Sequence, residues 1–517
     1  MSTPDSGPDT GRRGGRRRHR DAAPAGPTQP PWRVPRRTFA PVRVVSDDQL
    51  EAIHQASLRV LAETGIDFLH PTARVRWAEA GADVAGDRVR LDPALVDSLV
   101  SKAPESFRLH ARNPIHDVEI GGDAVVFGAV ASAPYVGDAT GGRREGNLHD
   151  FTELVRLSQV LNAIHVHCGY PVEPTDVHAS VRHLHATRVL LTLSDKVPSA
   201  YSLGAERNAD CLEMVRIARQ VDDETLDREP SIHTVINASS PLRYDEPMLE
   251  GILRYSARNQ MVIVTPFTLA GAMAPVTLAG ALAQQNAEAL AGIAFTQLVR
   301  AGAPVVYGGF TSNVDMRSGS PAFGTPEFVK AALVGGQLAR RAGVPYRSSN
   351  VCAANAVDSQ SGYESVFSLW GAVMGGANLV YHGAGWLEGG LRASYEKMVI
   401  DADLLQMVAA FLEPLVVDDD SLAVEAIAEV GPGGHFFGVQ HTQDRFRDAF
   451  FAPMISDWRN YEAWEEAGSP TALDHASRRV HELRDAYEQP PMAPEVAAEL
   501  DDFVARRVAE GGAPTDF

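Results

Sequence analysis

The chain has 517 residues, 44% hydrophobic and 22% charged, a balance that excludes wholesale disorder and supplies a large buried core. Its formal net charge is −19, yet residues 1–37 carry nine arginines against three aspartates, so the remainder is more acidic still. An acidic body argues against a nucleic-acid enzyme, which needs a basic footprint. Three widely spaced cysteines, Cys168, Cys211 and Cys352, form no disulfide framework and point to a reducing compartment, the cytoplasm.

In chain order, residues 1–40 read as a disordered tail rich in Arg, Gly and Pro; Arg12-Arg13 is followed by no apolar run, so an export signal is not expected. Residues 41–125 read as an N-terminal extension of helices and hairpins. Ser46-Asp47-Asp48 opens a helix that places Leu50, Ile53, Val60 and Leu61 on one face until Gly65, and Asp92-Pro93 opens another through Val100.

Over 126–415 a rhythm of strand, loop and helix repeats. Short β-favouring runs fall near Pro134–Val136, His165–Cys168, Ser199–Ser202, Ser231–Ile236, Met261–Thr265, Val305–Gly308, Pro345–Ser348 and Leu379–His382. Helical patterns at Leu212–Val221, Glu288–Arg300, Pro326–Arg341 and Gln360–Met374 separate several of them, the last closing on Gly375-Gly376. Eight such runs predict an α/β fold, a (β/α)8 TIM barrel, followed by a C-terminal extension (416–517) that closes on it. The apolar stretch Met261–Leu282 is broken by Pro266 and Pro275 and followed by Gln284-Gln285, so it reads poorly as a membrane span.

A barrel builds its site from the loops at the carboxyl ends of its strands. Here those loops carry Tyr170, Tyr201, Phe267, Phe310 and Trp386 among small, neutral polar residues. Aromatic faces of this kind suit a cationic organic ligand. The chain lacks the motifs of zinc proteases, nucleotide-binding loops and nucleophile elbows. His165 and His167 share a strand face while Cys168 points the other way, so the three do not grip one metal, and none is expected. Asp358 reads as a helix cap; Glu364 and Glu396 lie about one turn into helices.

The segment Gly431-Pro-Gly-Gly-His435-Phe-Phe-Gly438-Val-Gln-His441-Thr442, followed by Phe450-Phe451-Ala-Pro453, Asp457 and Tyr461-Glu-Ala-Trp464, resembles the C-terminal signature of the trimethylamine methyltransferase (MttB) family. Gly65-Ile66, the run from Asp315 to Glu327, Asp358 to Glu364, and Ser394-Tyr395-Glu396-Lys397 agree with it, so the resemblance runs from about residue 40 onward. It implies a TIM barrel that takes a methyl group from a methylated amine and delivers it to the cobalt of a separate corrinoid protein, with no cofactor held tightly by the barrel itself. Archaeal members carry pyrrolysine near the end of the seventh strand; here Ser348–Ala354 holds only standard residues, with Asn350 in that neighbourhood. Members without pyrrolysine look like demethylases of quaternary amines, glycine betaine being the best-known type.

On that resemblance, Tyr135, Tyr170, Tyr201, Phe267, Phe310 and Trp386 are the candidate cage, and Arg347, Asn350 and His382 the candidate donors to a betaine carboxylate. Asn350 and Glu364 are also the candidate catalytic residues, and His435 and His441 read as structural or partner-facing. The expected partners are the amine, the corrinoid protein and a second copy of the chain, with neither nucleic acid nor membrane. Two alternatives stay open: transfer to a folate or thiol, and a noncatalytic betaine-binding barrel.

Overall fold

The computed structural model describes residues 28–139 and 142–515. Its centre is a ring of parallel pairings. Strands Val126–Ala129, Val305–Gly308 and Tyr346–Ser349 are buried at every residue, as strands covered on both faces must be. From Val126–Ala129 the ring passes through single bridges, Gly128 to Val166, Val166 to Val197 and Ser199 to His233. It continues through strands His233–Ala238, Met261–Ala270, Val305–Gly308, Tyr346–Ser349 and Leu379–Ala384. Leu379 pairs with Val126 and closes it. The expected (β/α)8 barrel is therefore present, with its second and third staves reduced to bridges. At Gly128 a Cβ would lie 2.0 Å from the Cys168 sulfur, so only glycine lets those staves approach.

Each stave is followed by a helix: Leu148–Val160, Arg182–Leu193, Ala205–Arg219, Glu246–Ala257, Leu278–Val299, Pro326–Arg341, Ser359–Met374 and Tyr395–Phe411. Asn147, Asp245, Thr325, Asp358 and Ser394 cap five of them through side-chain oxygens that accept first-turn N–H groups. Gly376, at φ +90°, turns the chain after Ser359–Met374. Among the described residues no helix is long and apolar enough to cross a membrane.

Two expectations change. The first barrel strand is Val126–Ala129, not Pro134–Val136; Tyr135–Gly137 instead joins a four-stranded sheet with Arg392–Ser394, Trp386–Leu387 and Arg144–Glu145. The end of the expected tail is also structured. The buried Arg37 guanidinium donates to the carbonyls of Ala377 (3.0 Å) and Gly122 (2.9 Å), with the Asp123 carboxylate 3.9 Å away. The tail's residues 1–27 lie outside the described residues.

The N-terminal extension packs on the fifth barrel helix, where Asn286 Nδ2 donates to Ser57 Oγ at 2.9 Å. Its first helix, Asp47–Arg59, starts with a Ser46/Gln49 capping box, and Pro93–Val100 starts on Asp92. At the other end, Ala472–Asp485 packs against Tyr395–Phe411 and Pro494–Ala509 against the second and third barrel helices.

Candidate active site

The carboxyl ends of the strands surround a cavity of about 620 Å³. Arg347, on the seventh strand, is fully buried and lines it. Its guanidinium carbon lies 5.1 Å from the Phe310 ring centre and 4.8 Å from that of Tyr381. Nε and Nη1 have no hydrogen-bond partner, and among the described residues no carboxylate pairs with the group. Burial pushes its pKa down to about 10, so it remains a cation at neutral pH. An uncompensated buried charge is costly, and this one faces open space.

The walls are rings. Phe310 stands 5.2 Å from Phe267 and 5.7 Å from Phe323, and Phe323 meets Trp386 edge-on at 5.3 Å. His382 stacks on Trp386 at 5.1 Å and 13°. Burial, with the charge of Arg347, drives the His382 pKa well below its ordinary value, so the ring is neutral. His382 also sits at φ +54°, a conformation rare for side chains other than glycine, with Nδ1 3.3 Å from Ser349 Oγ.

The same cavity is lined by Tyr201, whose hydroxyl donates to Ser132 Oγ (3.0 Å) and accepts the Tyr170 N–H (3.3 Å). The Tyr381 hydroxyl donates to the Cys168 carbonyl, bringing a second phenol ring to the cavity. Glu173 lines the same side, 3.5 Å from Arg182; burial raises its pKa and Arg182 opposes the rise. The lining thus combines a cation without a carboxylate partner, a carboxylate paired with Arg182, and several aromatic faces.

Of the expected residues, Tyr201, Phe267, Phe310, Arg347, His382 and Trp386 line one cavity. Tyr170 does not line the cavity; its ring is tilted against that of Tyr201, centre to centre 4.3 Å. Tyr135 lies in the rim sheet, outside the cavity lining, with the Arg143 guanidinium 3.7 Å over its ring. Asn350 is buried, donating from Nδ2 to the Gly383 carbonyl at 2.9 Å. Glu364 accepts the N–H groups of Ala353 (2.8 Å) and Ala354 (3.0 Å), tethering the loop after the seventh strand. These two hold backbone and do not face the cavity. Asp358 caps its helix as expected.

Sequence reasoning missed Tyr381, Phe323 and Glu173. Tyr381 adjoins His382 in a run read as strand, and Phe323 lies inside the Asp315–Glu327 segment, so both were in segments already singled out; no pattern marked Glu173. His165 and His167 serve as core groups. His165 Nδ1 accepts the Phe127 N–H at 2.9 Å and Nε2 meets the Arg33 carbonyl at 2.9 Å, while His167 Nε2 meets Ser194 Oγ at 2.8 Å. Burial pushes the Cys168 thiol up to about 12, so it is no thiolate.

A family model described as trimethylamine methyltransferase (MTTB) matches residues 11–512. A glycine betaine methyltransferase of Desulfitobacterium hafniense (strain Y51) is 36% identical over 470 residues, 91% of this chain and 98% of that one. A trimethylamine methyltransferase MttB of D. hafniense (strain DSM 10664 / DCB-2) is 28% identical, covering 90% and 94%. The crystal structure of the Methanosarcina barkeri monomethylamine methyltransferase (MtmB) superposes with a TM-score of 0.52 at 11% identity, covering 89% of this chain and 88% of that one, a likeness of fold.

Proposed function

The chain belongs to the trimethylamine methyltransferase family, and on that premise we propose that it removes a methyl group from glycine betaine, or a close quaternary-ammonium carboxylate, and passes it to the cobalt of a separate corrinoid protein. The observation that carries the choice of substrate is Arg347, a buried cation without a counter-ion among aromatic walls. A simple methylamine is itself a cation and would leave Arg347 uncompensated. A betaine brings a carboxylate for the guanidinium and a trimethylammonium for the rings, so one molecule meets both demands. The relative at 36% identity is named for glycine betaine.

Arg347 would anchor the carboxylate, and Phe310, Trp386, Tyr381 and Tyr201 would surround the ammonium. The His382 ring, neutral and stacked, would serve as a flat wall. Fixing both ends of a short zwitterion leaves its methyl groups few orientations, which is the entropic part of catalysis. No general acid is required, because the amine departs with its lone pair; among the described residues that line the cavity Glu173 is the only carboxyl group, and Arg182 pairs with it. Reduced cobalt supplies the nucleophile when the partner docks. The rim beside the cavity, Met273, Gly389, Gly390 and the half-exposed Leu391, is small or apolar and suits a flat macrocycle.

The test is to mix the purified protein with glycine betaine and reduced cobalamin and follow methylcobalamin by its absorbance. Methylcobalamin formation is expected. Transfer only to a folate or thiol would overturn the acceptor, and tight calorimetric binding without any transfer would overturn catalysis.

A further inference from the structure

Residues in register on neighbouring strands send their side chains the same way, so the inward-facing residues of a barrel form rows across its strands. On the fourth, fifth and sixth strands one such row is Val235, Ile263 and Val306, all apolar. Two residues nearer the carboxyl ends the chemistry changes. Thr265 pairs with Asn237, and the pairing of Val264 with Tyr307 sets Thr265 beside Gly308, which pairs in turn with Arg347 on the seventh strand. Two residues further still, Phe267 pairs with Phe310. A polar row therefore lies between an apolar row and an aromatic one.

Within the polar row, Thr265 repeats the condition of Arg347. It lines the cavity, is only 3% exposed, and its hydroxyl has no hydrogen-bond partner among the described residues. A buried hydroxyl left unpaired is exceptional in a folded protein and costs free energy. A Cβ on Gly308 would fall 2.1 Å from Thr265 Oγ1, so glycine is what lets the hydroxyl lean across the sixth strand towards the seventh, where Arg347 stands. One acceptor between them would serve both the hydroxyl and the guanidinium.

On the reading of the substrate as a betaine, we propose that Thr265 is the second donor to its carboxylate and fixes which way round the substrate lies. The Thr265 hydroxyl donates to one carboxylate oxygen while Arg347 holds the other. The ammonium then lies against the next row, Phe267 and Phe310, nearer the carboxyl ends of the strands and so nearer the mouth. With Arg347 alone the carboxylate would pivot about one long side chain. Two donors on either side of Gly308 remove that freedom and aim the methyl groups outward, where the acceptor arrives.

Calorimetry on the full-length protein tests this with glycine betaine and with tetramethylammonium, which has no carboxylate, while methylcobalamin formation is followed on the same samples. Thr265→Val keeps the branched shape and removes the hydroxyl; Thr265→Ser keeps the hydroxyl. Thr265→Val is expected to weaken betaine about tenfold, as loss of one hydrogen bond to a charged group does, and to leave tetramethylammonium within about twofold. Thr265→Ser is expected to hold most of the betaine affinity. Unchanged betaine binding in Thr265→Val, equal loss of the two ligands, or a loss that Thr265→Ser shares in full overturns the proposal, and wild-type binding and transfer then leave the betaine reading standing. A wild type that does not bind betaine overturns both.

Discussion

The guanidinium carbon of Arg347 lies 5.1 Å from the centre of the Phe310 ring, so a cation of the protein already occupies a face that a substrate cation would share. Two positive groups can use neighbouring faces of one cavity only if an anion sits between them. A betaine carboxylate would be that anion. Replacing Arg347 by Met should therefore weaken betaine binding by about 10- to 150-fold, the worth of charge-assisted hydrogen bonds at about 1.5–3 kcal/mol. Tetramethylammonium, which has no carboxylate, should bind the variant as well as or better than the wild type. Calorimetry with both ligands measures it; an equal loss for the two would remove Arg347 as the anchor.

The rings should report charge. In the tert-butyl analogue of betaine a carbon replaces the nitrogen, with nearly the same shape and no positive charge. Trp386→Leu should cost betaine about 0.5–2 kcal/mol of cation–π attraction, roughly 2- to 30-fold in Kd, and the neutral analogue little. Competition binding of the two ligands measures the difference. If the analogue loses as much, Trp386 acts through shape alone.

Acid should weaken the barrel through histidines that do not touch the cavity. Burial pushes His165 and His167 down to about 3 and His233 to about 4, each with its ring hydrogen-bonded in the core. The unfolded chain takes up these protons near pH 6.5 and the folded chain does not, so it is the unfolded state that gains from acid. Stability from this source is complete above about pH 7.5 and falls below about 6.5, by up to about 1.4 kcal/mol per histidine per pH unit, until the folded values are reached. Urea midpoints taken from pH 8 down to 5 should show that fall. His165→Gln should make it shallower; a flat profile would mean that these rings are solvated.

How much of this was legible follows from what a strand pattern contains. Phe310 and Trp386 stand just past the ends of Val305–Gly308 and Leu379–Ala384, where a barrel puts its site whatever the exact register; Phe267 follows the expected run Met261–Thr265, although the strand continues past it to Ala270. Tyr135 was misplaced for the complementary reason: Val126–Ala129, with its glycine, gives a weaker β signal than Pro134–Val136, yet it pairs with Leu379 and Val380 in the ring. Asn350 and Glu364 lie in the right stretch of chain, but whether a polar side chain faces a cavity or a carbonyl depends on loop backbone, which spacing does not encode. Glu173 comes from a loop without regular structure and was invisible to periodicity. That Arg347 lacks a counter-ion is a statement about every neighbour in space, and only the folded structure makes it.

The turn at Gly389-Gly390 sets the position of Trp386. A Cβ on Gly390 would fall 2.4 Å from Trp386 Cζ2 and 2.7 Å from Cε2, and the residue holds φ +99°. Trp386 is backed by Phe323 at 5.3 Å and His382 at 5.1 Å, so the ring has little room to retreat except into the cavity. Gly390→Ala should raise KM for betaine by about tenfold, the loss of one well-placed cation–π contact, while changing kcat less. Backbone strain alone would also destabilise the turn, by about 1–3 kcal/mol, and Gly389→Ala separates the two effects. Gly389 also has positive φ, +63°, but its Cβ would come no nearer than 3.3 Å to a neighbour, Phe323 Cε2. Both variants should melt at lower temperature by similar amounts, whereas only Gly390→Ala should lose betaine affinity. If KM rises equally in the two, the turn acts through its backbone and not by seating the Trp386 ring.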